Sequence, residues 1–206
     1  MESNDRERQR RLAVFDFDGT LTLRDSLPEF IRHARGGMGM VGAFVRSLPK
    51  IASWKLGKSS NGEAKERLFA ESFAGMELER FDALGRSFAA RIDTMLRPET
   101  VAEMHAAHAR GETVVVLSAS IGNWLRPWAA ANGVDRVIAT EAEVDKKGRL
   151  TGRFATPNCH GREKIRRLEE AFPELKENRA AYRIAAWGDS PSDRPLLAYA
   201  DTAVEI

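Results

Sequence analysis

The sequence predicts an α/β fold, a Rossmann-like parallel sheet with helices on both faces plus a helical cap inserted after the first strand. Three observations carry that prediction. Short apolar runs alternate with amphipathic stretches, the pattern of strands buried beneath crossover helices. The first run, Leu12-Ala13-Val14-Phe15-Asp16-Phe17, ends at Gly19-Thr20, a strand entering a turn. Behind it, about seventy residues hold helical spacing with no convincing strand.

Taken in order, the runs at 113–117, 183–187 and 202–206 match the first, and 136–140 makes a fifth. Helical patterns fill the gaps: 98–110 ended by Gly111, 121–132 ended by Gly133, 162–172, and 191–200. Inside the interruption, Ser26 with Glu29 reads as a capping box, and Leu78, Phe81, Leu84, Phe88 and Ile92 share a helix face. Residues 141–154, with Asp145-Lys146-Lys147-Gly148 at their centre, read as a hairpin appended to the sheet. The resulting division is a charged, flexible tail over 1–11, a core over 12–24 and 97–206, and a cap over 25–96.

Composition narrows the function classes. With 206 residues, 43% of them hydrophobic, the chain can bury a full core, one domain carrying an insertion. Thirty-two basic against thirty acidic residues leave a charge of +2, too balanced to point to a nucleic-acid partner. The single cysteine, Cys159, forms no internal disulfide, which removes multi-cysteine zinc sites and fits a reducing, cytoplasmic setting. The apolar, glycine-rich stretch 36–45 meets Arg46 and Lys50 well short of the ~20 residues that span a bilayer, so no transmembrane segment is expected. Packing within the protein is the first reading of residues 38–56; an interfacial helix, with Lys50, Trp54 and Lys55 at a headgroup boundary, is the second.

The chemistry concentrates at predicted strand ends. Asp16 and Asp18 are two apart where the first strand finishes, so a period of two turns both carboxylates the same way, toward the crevice of a parallel sheet. Paired carboxylates repel and need a cation or a shared proton, and oxygen-only ligation suits a hard ion such as Mg²⁺. The bland alternative is that both cap a turn. Ser118 follows Val114-Val115-Val116-Leu117 and can offer a hydroxyl to a phosphate oxygen; Ser120 is the better placed to cap the helix that follows. Asp189 follows the 183–187 strand through Gly188. Asp193, third in a helix capped by Ser190 and begun by Pro191, suits capping and function equally. Lys164 sits near a helix start behind Gly161, where a nearby anion would explain a lysine; alone it reads as one of a surface group with Arg162, Arg166 and Arg167. His105 and His108 have no acidic partner set and read as surface or packing residues.

Together, Phe15-Asp16-Phe17-Asp18-Gly19-Thr20-Leu21-Thr22, Ser118, Lys164 and Gly188-Asp189-Ser190-Pro191-Ser192-Asp193 resemble the four ordered motifs of the haloacid dehalogenase (HAD) superfamily. The helical insertion after the first motif is similar to the cap of its phosphoserine-phosphatase-like branch. The resemblance implies a Mg²⁺-dependent phosphatase that hydrolyses a small phosphorylated metabolite through an aspartyl-phosphate. Asp16 would be the nucleophile and Asp18 the acid and base. Asp16, the backbone carbonyl of Asp18, and Asp189 would hold the metal. Ser118, Lys164 and the amide of Ala119 would hold the phosphoryl group, with Asp193 behind them. A phosphotransferase or mutase using the same intermediate is the enzymatic alternative, and a non-catalytic phosphate-ligand-binding regulator the other.

The sequence departs from phosphoserine phosphatases where they bind substrate. Nine residues after the nucleophile stands Asp25 rather than glutamate, and for the cap arginine only Arg67 offers itself. Phosphoserine is therefore not the favoured substrate, and Asp25 is expected to face the leaving group.

Overall fold

The computed structural model describes residues 9–206. Five strands, β1 (Arg10–Phe15), β2 (Thr113–Ile121), β3 (Arg136–Thr140), β6 (Tyr182–Gly188) and β7 (Thr202–Glu205), form one parallel sheet in the order β3-β2-β1-β6-β7. The expected sheet is thus present with all five runs in it. The tail reading over 1–11 lies outside the described residues in its first eight positions. Its last two, Arg10 and Arg11, are not tail but strand, paired with Tyr182 and Arg183.

Alternation along β1 builds two cores. Ala13 and Phe15 face one side, with Met104 and Ala107 of α4 (Pro98–Ala109) and Trp124, Leu125 and Trp128 of α5 (Gly122–Ala131). Leu12 and Val14 face the other, with Leu168 of α6 (Arg162–Ala171), Leu175 of α7 (Pro173–Glu177) and Leu196 of α8 (Arg194–Tyr199). A strand covered on both faces has no polar side to spend, which is why β1 and β2 read as continuous apolar runs.

Between β1 and α4 lie three helices, α1 (Ser26–Lys55), α2 (Asn61–Phe73) and α3 (Leu78–Ile92). They pack on the sheet's α5 side through aromatics: Phe30 stacks on Trp124 at 4.5 Å and meets Phe73, Phe81 and Phe88 edge-on or tilted. Each fully buried phenylalanine contributes about 1.5–3 kcal/mol, so this cluster fixes the insertion to the sheet. Gly85 permits the approach of α3 to α5, since a Cβ there would lie 2.4 Å from the Asn123 carbonyl oxygen. The two strands of chain entering and leaving the insertion are zipped together by Leu23 N–H to the Met95 carbonyl (2.7 Å) and Arg97 N–H to the Leu21 carbonyl (2.8 Å).

Local expectations change in three places. The Ser26–Glu29 capping box does not form: Asp25 precedes the helix, Ser26 is buried within it, and Glu29 pairs with Arg24 and Arg91. A capping box is present instead at Ser60 and Glu63 on α2. The helix expected over 191–200 begins at Arg194, because Ser190 to Asp193 are held in a turn by the Asp193 side chain. The hairpin forms as β4 (Ala142–Val144) and β5 (Leu150–Phe154), a separate antiparallel pair, with β5 against α2.

Candidate active site

The C-terminal ends of β1, β2 and β6 open onto a pocket of 730 Å³. Asp16, Asp18, Ser118, Ala119, Lys164 and Asp189 line its floor, and Asp25, just before α1, and Lys65 of α2 line the wall beside it. β1 delivers Asp16, whose N–H donates to the Trp187 carbonyl at 3.0 Å; its side chain lies almost wholly under the surface, 7% exposed.

Lys164 explains how a buried carboxylate persists there. Its ammonium, 1% exposed, donates to Asp16 Oδ1 at 2.7 Å and Asp193 Oδ1 at 2.5 Å. Burial alone would lower the lysine pKa, but the two carboxylates overcome it and hold the ammonium above the ordinary range. The surface-lysine reading therefore fails. Asp193 is fully committed: its other oxygen accepts the Ser190 N–H at 3.1 Å and the Ser190 hydroxyl at 2.6 Å, so capping the turn and anchoring Lys164 fall to one side chain.

The Asp16 carboxyl is pushed up to about 7, chiefly by desolvation, with Asp193 and Asp18 adding to it against Lys164. Burial also raises the Asp189 carboxyl, and Asp193 adds to that. Oxygens of Asp16, Asp189 and Asp193 lie within 4.8 Å of one another. With both Asp193 oxygens taken by Lys164 and Ser190, the carboxylates of Asp16 and Asp189 are the members of this cluster left as oxygen donors that fit a hard divalent cation such as Mg²⁺. Gly19, at φ 83°, leaves the space for Asp189; a Cβ on it would sit 2.1 Å from Asp189 Oδ2.

Asp18 does not join the metal-type cluster with its side chain. Its Oδ1 accepts the Ser26 N–H at 2.7 Å and its Oδ2 accepts the Ser120 hydroxyl. Behind Ser120 the Ser26 hydroxyl lies at 3.0 Å, and the Trp124 indole N–H donates to Ser26 at 3.1 Å. The Ser120 hydroxyl spends its one proton on Asp18, so Ser26 donates to Ser120 and accepts from the indole, and with Asp18 ionised the chain runs Trp124 to Ser26 to Ser120 to Asp18. The reading of Ser120 as a helix cap is thereby corrected, as α5 has no side-chain cap. Ser118, 1% exposed, accepts the Ser120 N–H at 3.0 Å.

Two pocket residues were missed. Lys65 donates to the Ala119 carbonyl at 3.0 Å; burial lowers its pKa while Asp18, Asp25 and Asp16 oppose the drop. Arg67, the cation the sequence offered from this segment, pairs with Glu71 and does not line the pocket, whereas Lys65 does. A signal existed, since Lys65 lies next to Ala64 and one turn before Phe69 and Leu68 on the buried stripe of α2. His160 lines the pocket as well, at the turn before α6. His105 and His108 are exposed, in keeping with a surface role. Asp25 stands at the mouth, its carboxyl raised by desolvation and by Asp18.

The haloacid dehalogenase-like hydrolase model matches residues 13–198. Protein CicA of Caulobacter vibrioides is 31% identical over 192 residues, 92% of this chain and 83% of that protein. Among solved structures, a protein of unknown function from Bordetella pertussis Tohama I superposes with a TM-score of 0.79 at 25% identity, over 92% of this chain and 86% of its own. A phosphoserine phosphatase solved as a phospho-aspartyl intermediate analogue shares the fold, with a TM-score of 0.64 at 17% identity over 96% of this chain and 86% of its own. A match running from the first strand into the last helix, and enclosing every side chain on the pocket floor, places this chain in the family: it belongs to the haloacid dehalogenase-like hydrolases.

Proposed function

We propose that the protein hydrolyses a small-molecule phosphomonoester, with Asp16 as the nucleophile. One observation carries this reading: two carboxylates leave the same strand end with opposite supports. Asp16 is clamped by an ammonium, which aims it and opposes the rise that burial imposes on its carboxyl, whereas Asp18 rests on a chain of neutral hydroxyls that leaves it free to carry or release a proton. In the first half-reaction a carboxylate oxygen of Asp16 bonds to phosphorus as the ester P–O bond breaks, and Asp18 gives its proton to the leaving oxygen. In the second, Asp18 takes a proton from water, whose oxygen displaces the Asp16 carboxylate and yields phosphate. Ser118 and Lys164 hold the phosphoryl oxygens, with the Ala119 amide beside them.

Mg²⁺ fits the carboxylates described above, and Asp16 and Asp189 are its proposed side-chain ligands, with the Asp18 main-chain carbonyl; when bound it supplies positive charge between nucleophile and phosphate. Asp193, with both oxygens committed, is read as positioning Lys164 and Ser190. Added Mg²⁺ should raise the melting temperature of chelator-treated protein and restore phosphate release. A melting point and an activity both indifferent to chelator would remove the metal from the account.

Ser120→Ala should lower kcat about tenfold with little change in KM, and most for esters with poor leaving groups, because it loosens the acid rather than the binding site. An increase in KM alone would make Ser120 a binding residue instead.

The three helices between β1 and α4 act in this reading as a cap over the sheet edge, and Asp25 with Lys65 presents one anion and one cation to the leaving group. Asp25→Ala should reorder a panel of phosphomonoesters while changing p-nitrophenyl phosphate hydrolysis little. An equal loss on every ester would place Asp25 in the catalytic machinery or in folding. Assay of such a panel for free phosphate, with and without Mg²⁺, tests the proposal as a whole; transfer of phosphate to an acceptor without release would favour a phosphotransferase. The buried Cys159 thiol, pushed up to about 11, is inert, and a cytoplasmic setting is the one we propose.

A further inference from the structure

The cap carries a second surface that hydrolysis does not require. Of the ten large apolar side chains exposed among the described residues, seven lie between 38 and 56, six on α1 and Leu56 just past its end, which makes this one patch rather than ordinary scatter. Met38, Val41, Val45 and Leu48 recur at spacings of three and four, so they share one outward face beyond the break at Gly36; Met38 is 91% exposed. Phe44 and Trp54, also on the exposed side, line the pocket together with Ile51 and Lys55. The apolar face and the pocket wall are therefore one continuous surface.

Charge identifies what covers it. Residues 30–62 contain Arg32, Arg35, Arg46, Lys50, Lys55 and Lys58 and no acidic residue, in a chain whose net charge is only +2. Arg46 and Lys50 are paired with Glu71 and Glu63, but Arg32, Arg35, Lys55 and Lys58 make no ion pair among the described residues. A second copy of the chain would bring two such cationic segments face to face. An anionic bilayer accepts apolar side chains and basic ones on the same face. Spanning is excluded for the helix itself, as no helix among the described residues is long and apolar enough to cross a membrane.

We propose that residues 35–58 dock on an anionic membrane surface and that the pocket takes the phosphate head of a lipid phosphomonoester, its chain lying along Phe44, Ile51 and Trp54. The substrate half rests on the phosphatase reading and needs only water as co-reactant, releasing phosphate and the lipid alcohol. The docking half does not depend on turnover.

Two variants separate the terms: Met38→Ser with Val45→Ser and Leu48→Ser, and Arg35→Glu with Lys58→Glu, none of them in the pocket. Each would be compared with the wild-type protein for co-sedimentation with vesicles of phosphatidylcholine alone or mixed with phosphatidylglycerol, and for hydrolysis of lysophosphatidate in those vesicles and of p-nitrophenyl phosphate in solution. The expected result is salt-sensitive binding of wild type to the mixed vesicles, lost about tenfold or more in both variants, with lipid turnover falling in parallel and p-nitrophenyl phosphate hydrolysis unchanged. Wild type that ignores mixed vesicles, variants that bind like wild type with unaltered circular dichroism, or a dimer that the serine variant dissolves would overturn the docking. Docking with p-nitrophenyl phosphate hydrolysis but no lipid turnover would overturn the lipid substrate. Docking with no hydrolysis of either ester would instead sink the phosphatase reading.

Discussion

Asp16→Asn is expected to abolish turnover, by several powers of ten, while leaving the melting temperature within a few degrees of wild type. Asparagine keeps the shape and still accepts from Lys164 through its amide oxygen, so the side-chain packing at the end of β1 survives. What it loses is the carboxylate oxygen that, on the proposed mechanism, attacks phosphorus. Removing that charge relieves the desolvation cost and the repulsion from Asp193 and Asp18 while giving up the attraction of Lys164, so the opposing changes leave the fold intact. Retention of more than about a hundredth of wild-type activity would rule out a covalent role, because loss of a nucleophile is not rescued by binding alone.

The second large effect concerns Lys164. Lys164→Met should eliminate activity and also destabilise the fold by about 3–5 kcal/mol, since it leaves Asp16 and Asp193 buried without their cation. The sign with pH follows from the carboxylates. Asp16 is already raised from 3.8 to about 7 with Lys164 present, and loss of the ammonium removes the largest influence that lowers it. A folded state with a raised carboxyl pKa binds the extra proton below that pKa, so the variant is least impaired in acid. For Asp16 the deficit relative to wild type opens above about pH 7, where the wild-type carboxyl gives up its proton. For Asp193, which burial pushes up but Lys164 holds below the ordinary carboxylate range, it opens from lower pH, so the two together make it grow from pH 5 to pH 8. A melt that shows a constant small deficit over that range would mean that the lysine is not holding two buried charges.

How much of this was legible in the sequence varies with the physics of each element. β1 and β2 were readable because strands buried on both faces have no polar alternation to confuse with a helix, and Gly19-Thr20 marked where β1 ends. Asp16, Asp18 and Asp189 were readable as candidates because each stands immediately past such a run. Lys164 was weak in sequence among three neighbouring arginines; only burial separates it from them, and burial is a property of the packed helix. Arg67 and Lys65 show the same limit. Both are cap cations two positions apart on α2, and the rotation of that helix against β5 decides which enters the pocket. Ser26 and Ser120 were visible but assigned to local capping. Their actual partners are far apart in sequence, Ser120 and Asp18 being separated by 102 positions, and no local pattern encodes a contact of that range.

The central claim is that phosphate passes through a covalent bond to Asp16. The most direct measurement is rapid acid quenching of the protein during turnover of a ³²P-labelled phosphomonoester, followed by peptide mapping with and without hydroxylamine. The account predicts acid-stable, hydroxylamine-labile label on the peptide holding Asp16, absent from Asp16→Asn and, with an ester whose leaving group departs without a proton, accumulating in an Asp18→Asn variant that cannot activate water. Steady release of phosphate with no labelled protein at any quench time, or label on a peptide elsewhere in the chain, would contradict it.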